Sequence, residues 1–454
     1  MGEGGQAARM GLLMASVARI GGAMPAWRRR LIQCGCVFLI LLGVVGTIRN
    51  GVLPGNRVFF DFKVFYAAGE LWRERVSPYD AKTFWAELAR FDPESPEYNR
   101  KLRAIYVYPP QASAFFALWT RLPIEQAARL LLAVNVALTV LALVLMGRIL
   151  SWFRPVGLVE LAFLAALPGI GLYINLRNTQ WGILILVLLL ATFMLERSGR
   201  RAPAGIALAL TSFKPSFMPL FALYHLLRGN WRLVAMAALG VLALTVLPLV
   251  LTGQPLTRLL EYSQALELRD ARGEFLSTHP GERFTINYNM IHLEALLLRL
   301  FGAPSGLAGA AVLLALVVLC ATTAFVLRQA PRTEEEHLLD FAIVAALSAT
   351  AVYHRTYDLF LLLPGFLCLY LRAASDVERH GRWWRAGILV LFLLLFTRFN
   401  GWVTSWISST PELRDLPQAR ALLPMPWLVM ALLLALLQLR RQPAGLGRCR
   451  LNGC

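Results

Sequence analysis

Four polar stretches interrupt an otherwise apolar chain, and each holds a residue type that can move a proton or hold an anion. The first is Asp61, within the stretch Phe59 to Tyr79, with Lys63 two residues on and Arg57 four residues before. A carboxylate beside aromatic side chains at a lipid–water boundary binds its proton more tightly, which suits a general base. An acid at the start of a helix is equally an ordinary cap. The second stretch is Asn178-Thr179-Gln180-Trp181, preceded by Arg177, a polar break between two apolar runs that also reads as an interhelical turn. The third is Thr211-Ser212-Phe213-Lys214-Pro215, inside a 26-residue apolar run. A cation about twelve residues from either end of such a run is too deep to snorkel and needs an anionic partner, either a lipid phosphate or an acid of the same chain. Pro215 breaks the helix there, which is tolerated beside a cavity. The fourth is Tyr353-His354-Arg355-Thr356-Tyr357-Asp358. Histidine moves protons near neutral pH and arginine clamps phosphate bidentately, although a plain loop accounts for the same residues.

Some chemistries are excluded. The sequence has no GxxxxGK[ST] run for ATP, no HExxH and no Cys/His cluster for zinc. Asp61 has no neighbouring acid to make a DxD pair, so no divalent-metal site is indicated at that loop. Cys34, Cys36, Cys320 and Cys368 fall in apolar runs and Cys449 and Cys454 in the tail, so the six cysteines form no disulfide framework.

These stretches need a scaffold, and the composition names its class. Of 454 residues, 57% are hydrophobic and 16% charged, whereas a soluble domain carries about a quarter charged. The apolar residues come in long Leu/Ala/Val blocks rather than alternating, which predicts an all-α polytopic membrane protein with about twelve transmembrane helices. Predicted spans are Leu31–Ile48, then about 124–147, 156–176, 180–196, 202–227, 231–252, 305–328, 338–353, 357–372, 383–402 and 422–440, with a short run Gln111–Trp119. Residues 1–30 are read as a cytoplasmic segment with Met10, Met14 and Met24 as further possible starts, 31–440 as one membrane domain and 441–454 as a cytoplasmic tail. Arg28–Arg30 before the first span suggest a retained signal anchor.

The excess of 45 Lys and Arg over 27 Asp and Glu, net +18, fits loop arginines on the cytoplasmic side and anionic head groups rather than nucleic acid. Arg328/Arg332, Arg372–Arg385 and Arg440/Arg441 then lie inside, with 49–107, 253–303 and the His354 turn outside. Twelve single spans leave Arg148/Arg154 and Arg197/Arg200/Arg201 outside; a hairpin at Lys214-Pro215 brings the latter group in, but then needs another adjustment before it. In the first outer loop, Asp61 to about Arg75 reads as a helix at the interface whose stripe is Phe62, Phe65, Ala68 (or Gly69) and Trp72, anchoring the acid at the bilayer surface. A Ser77–Asp80 turn and a second amphipathic piece, about 81–90, follow. Tyr288–Phe301 reads as another interfacial helix.

The ordered set Asp61-Phe62-x-x-Phe65-Tyr66-x-Ala68, Ser77-Pro78-Tyr79-Asp80, Tyr108-Pro109-Pro110, Gln180, Ala204-Gly205, Lys214-Pro215 and the His354 turn resembles glycosyltransferase family 87 over roughly residues 50–365. Thr179 stands where the family commonly has Gly, and the His354 turn lacks the fuller Ser-Trp-x-His-His form of some members. The resemblance implies a GT-C-like fold in the bacterial plasma membrane. It implies inverting transfer of a monosaccharide, with mannose the family-weighted choice, from a polyprenyl-phosphate donor to a lipid or glycan acceptor outside the cytoplasm, with no cofactor. It makes Asp61 the base, with His354 assisting it or binding phosphate. Lys214 and Arg355 become donor-phosphate ligands, and Tyr79, Tyr108, Asn178 and Gln180 residues of the sugar cavity. A transporter of lipid-linked sugars would use the same buried polar groups, but no inverted repeat supports that alternative.

Overall fold

A computed structural model describes residues 60–91, 106–152, 175–176, 180–271, 306–375 without 330, 332, 353 and 355, 424–441, and positions 293, 391, 394, 403, 406, 407, 409 and 410. The predicted spans at 31–48, 156–176 and 383–402, the helix at 288–301 and both chain termini lie wholly or almost wholly outside these residues. All regular structure among the described residues is helical. Among the described residues, two helices are long and apolar enough to cross a membrane, Ile124–Ser151 and Trp231–Thr252.

The described residues begin with α1 (Phe60–Arg73) and α2 (Ala81–Phe91). Asp61 in the first turn of α1 and Arg73 in the last complement the helix dipole. The helix stops where Arg75 takes a left-handed φ of 61° and Val76 N–H reaches back to the Leu71 carbonyl at 2.8 Å. Asp80 starts α2, its carboxylate accepting from Thr83 N–H at 2.8 Å. The predicted stripe forms, but it faces protein rather than lipid. Phe62, Phe65 and Trp72 are buried, and α1 lies on α3 (Pro110–Trp119). Gly69 permits that approach, because a Cβ there would stand 2.7 Å from the Phe116 backbone. Phe65 stacks on Phe116 at 4.7 Å, and Tyr66 Oη donates to the Leu122 carbonyl at 2.8 Å. The aromatics that read as a bilayer anchor are therefore core.

Beyond α3 come α4 (Ile124–Ser151), α5 (Gly182–Arg197), α6 (Arg201–Leu210), a 3₁₀ turn at Thr211–Phe213, α7 (Met218–Leu227) and α8 (Trp231–Thr252). Then follow α9 (Arg258–Ala271), α10 (Gly306–Leu327), α11 (Glu334–Ala351), a 3₁₀ stretch Thr356–Leu362, α12 (Leu363–Ser375) and α13 (Pro424–Arg441). Long-range bonds sort these elements into two ends. At one end Glu196 accepts from Asn230 Nδ2 at 2.5 Å, Arg197 Nε lies 2.8 Å from Glu334, and Arg197 covers the Trp152 ring at 3.7 Å. Arg228 and Arg440 both pair with Asp340 there, the latter at 2.6 Å. At the other end Gln254 Nε2 donates to the Trp72 carbonyl at 2.7 Å.

This sorting decides the threading. Arg197 and Arg228, which flank the predicted span 202–227, lie at the same end, while Phe213 between them stacks on Trp181 at the far end of α5. The run is a hairpin and not a single span. Its first arm, ten α residues and three 3₁₀ residues, rises about 21 Å beside the roughly 24 Å of α5. Lys214 therefore sits near the tip rather than at mid-depth. The last turn of α4, with Arg148, joins the same end as Arg440 through the contact of Trp152 with Arg197. α6 packs on α5 and α8, and Gly205 makes the latter contact possible, since a Cβ there would meet the Leu233 carbonyl at 2.5 Å.

Candidate active site

The first turn of α1 presents Asp61, half-buried, to the residue just ahead of α5. Gln180 Nε2 donates to Asp61 Oδ2. Gln180 is 2% exposed, and its own backbone N–H is fixed by the Asn175 carbonyl at 2.9 Å. Trp181 packs edge-on to Phe65 of α1 at 5.8 Å and stacks on Phe213 at 5.1 Å. This aromatic wall joins Asp61 and Gln180 to the hairpin tip.

At that tip the chain turns extended and Lys214 leaves the wall. Its Nζ lies 2.5 Å from Asp358 Oδ1. The other oxygen of Asp358 faces His354 Nδ1 at 3.2 Å, and His354 Nε2 faces Ser348 Oγ at 3.3 Å. A carboxylate only accepts, so a ring proton on Nδ1 faces Asp358. Phe217 covers the imidazole at 4.3 Å. His354, Asp358 and Ser348 are wholly buried. The acid partner that Lys214 requires is thus within the chain: Lys214 and Asp358 cancel each other's charge, and Asp358 orients His354.

Tyr79 and Tyr108 form a neighbouring group. Tyr79 Oη donates to the Tyr108 carbonyl at 2.9 Å, and the Tyr108 ring meets Phe65 at 4.5 Å. Burial holds the Tyr79 phenol well above its usual range, so it stays a neutral donor. Burial also pushes Tyr262 of α9 up to about 12, and its ring lies 5.7 Å from Tyr79. α9 clamps this loop through Ser77 Oγ to Glu261 at 2.5 Å and Arg258 to the Arg75 carbonyl at 3.0 Å. Asn178 and Arg355 lie outside the described residues. Among the described residues no three His, Cys, Asp or Glu side chains gather to hold a metal ion.

The sequence placed Asp61 with Gln180 in family order, and the geometry makes them partners. The order of motifs finds its counterpart in a family comparison, where the model of glycosyltransferase family 87 matches residues 106–353. The chain belongs to glycosyltransferase family 87. Comparison with curated proteins gives no match, and comparison with solved structures gives none. A glycosyltransferase needs a sugar donor and an acceptor, and membership sets aside the transporter alternative. In this glycosyltransferase the matched stretch carries Gln180 and Lys214 and ends next to His354; Asp61 precedes it. Two polar residues escaped the sequence reading as members of the site. Asp358 had a signal, four residues after His354 and entering an apolar run. Gln111 had a weaker one, an amide directly after Pro109-Pro110. Its Nε2 lies 3.4 Å from Ser212 Oγ, and it ties α3 to the hairpin tip.

Proposed function

We propose that this chain is an inverting glycosyltransferase that moves one sugar, mannose as the resemblance weights it, from a polyprenyl phosphate to a lipid or glycan acceptor. The observation that carries the reading is the Asp61–Gln180 hydrogen bond beside the Lys214–Asp358–His354 cluster. One face offers a carboxylate to a hydroxyl, and the adjoining one offers a cation and an imidazole to a leaving phosphate.

In the reaction Asp61 takes the proton of the acceptor hydroxyl as that oxygen bonds to the anomeric carbon. The bond from that carbon to the phosphate oxygen breaks, and the electron pair leaves with the polyprenyl phosphate. The phosphate gains charge as the bond breaks, so cations beside it lower the barrier. We assign Lys214 and Arg355 to that role. Asp358 holds the ammonium and the imidazole in register while leaving His354 Nε2 directed away from it. Tyr79, Tyr108 and Asn178 line the sugar side. We place the reaction outside the cytoplasm of a multi-pass bacterial membrane protein whose residues 31–440 form one domain. The placement is supported by the gathering of Arg148, Arg197, Arg228 and Arg440 at the opposite end.

Purified protein incubated with radiolabelled polyprenyl-phosphate sugars and an acceptor extract tests the reading. Transfer by the native chain and none by Asp61→Asn, with donor binding retained, is the expected result. Transfer by Asp61→Asn at the native rate removes Asp61 as the base.

A further inference from the structure

Gln180 does half of what a buried amide should. Its Nε2 is spent on Asp61, yet its Oε1 is buried and meets no hydrogen-bond partner among the described residues. The orientation is not arbitrary. An ionised carboxylate cannot donate, so the amide nitrogen must face Asp61 and the oxygen must face away. A buried carbonyl oxygen left without a donor is costly, and native sites that keep one commonly complete it with a ligand. Among the described residues, the adjoining Trp181 packs on Phe65 and Phe213, an aromatic wall. The next residue repeats the pattern, since the Trp181 indole N–H is also buried with no partner.

We infer that Gln180 Oε1 accepts a hydrogen bond from a second hydroxyl of the acceptor, adjacent to the one Asp61 deprotonates, so that the acceptor is a vicinal diol of a sugar or polyol and not an isolated alcohol. The inference rests on the glycosyl-transfer reading above and adds to it the chemistry of the acceptor. Carboxylate and amide oxygen are separated only by the Nε2 hydrogen bond and one amide group. Neighbouring ring hydroxyls can span that separation. Bonding the second hydroxyl fixes which oxygen meets the base, and the indole N–H supplies a donor to the same ring. A serine hydroxyl or a simple alkanol would leave Gln180 Oε1 unpaired in the bound state. A site built around such an acceptor rejects substrates that lack the matching donor.

The test uses the full-length protein, polyprenyl-phosphate mannose, octyl mannoside and the four monodeoxy derivatives of octyl mannoside. The native chain should transfer to octyl mannoside and lose about 10- to 100-fold in kcat/KM for the derivative lacking the hydroxyl beside the glycosylated one. Gln180→Leu should lower transfer to octyl mannoside and reduce that discrimination to near unity. Native transfer that is indifferent to the neighbouring hydroxyl overturns the inference while leaving the glycosyl-transfer reading intact. Discrimination that survives in Gln180→Leu also overturns it, because Gln180 would then only position Asp61. No native transfer from any polyprenyl-phosphate sugar to any acceptor overturns the function reading, and the inference with it. The native series stands without the variant should Gln180→Leu fail to fold.

Discussion

At the scale of residues, two carboxylates have different surroundings, which suit the two roles proposed for them. Asp61 is half-buried at a helix start and accepts a hydrogen bond from the Gln180 amide. Asp358 is enclosed and opposed by an ammonium, so it stays a counter-ion. Removing either member of that pair strands a buried charge, which costs about 3–5 kcal/mol, whereas replacing both with apolar groups of similar volume is far less harmful. Lys214→Met and Asp358→Leu should each lower thermal stability by that order in detergent, and the double variant should regain most of it. Transfer should stay well below native in the double variant, because the Lys214 ammonium no longer faces the phosphate. A double variant that recovers both stability and transfer would make Lys214 structural. Asp80 gives a milder effect. Hydrogen bonds from Thr83 hold its carboxylate below the usual range, so its contribution is present above the unfolded value of about 3.9. That contribution is lost as pH falls through the lowered value. Asp80→Ala should cost about 1 kcal/mol at neutral pH, and the difference should vanish in acid; thermal unfolding against pH checks it.

At the scale of elements, the legible parts were those with local signals. Pro109-Pro110 fixed the start of α3 and Ser77–Asp80 the turn before α2, because ring closure and capping act on the residues themselves. Hydropathy placed α4, α5 and α8 within a few residues. It misread 202–227, since an apolar run has the same period whether it crosses once or turns back. Only bonds across the fold, Arg197 to Glu334 and Arg228 to Asp340, show the return. The stripe of α1 was found but given to lipid, because a stripe records which side is apolar and not what covers it. The Asp61–Gln180 contact spans 119 positions, so sequence supplied both residues and only the fold supplied the pairing. Two glycines carry this packing. Gly205→Val should push the hairpin from α8, since the atom its Cβ would meet is backbone and cannot swing aside. Loss of transfer with a lowered melting temperature is expected; native behaviour in both would show that the hairpin tolerates displacement. Gly69→Val should act likewise on α1, where the obstacle is the Phe116 backbone.

At the scale of the whole molecule, the proposed chemistry lies at one end, and ion pairs hold the helices together at the other. Asp340 is buried and takes both Arg228 of the hairpin's return and Arg440 of α13, while Arg440 also donates to the Gln329 carbonyl at 3.1 Å. Glu196 lies 3.3 Å from His225 and 3.4 Å from His337, tying α5, α7 and α11 together. None of these residues touches Asp61, Gln180 or Lys214 among the described residues. The two ends should therefore fail differently. Asp340→Ala leaves two mostly buried guanidinium groups without their carboxylate, so it should lower stability by roughly 3–5 kcal/mol. Well below its melting temperature its KM and kcat should stay near native, and transfer should decline only as the folded fraction does. Asp61→Asn should reverse the pattern, with stability kept and kcat lost, because the amide fills the same space and cannot take the proton. Measuring unfolding and initial rates on both variants in one membrane mimetic separates the roles. An Asp340→Ala chain that is fully folded yet has a changed KM for donor would mean that the ionic end reaches the site through the hairpin, whose tip carries Lys214 and whose root is Arg228.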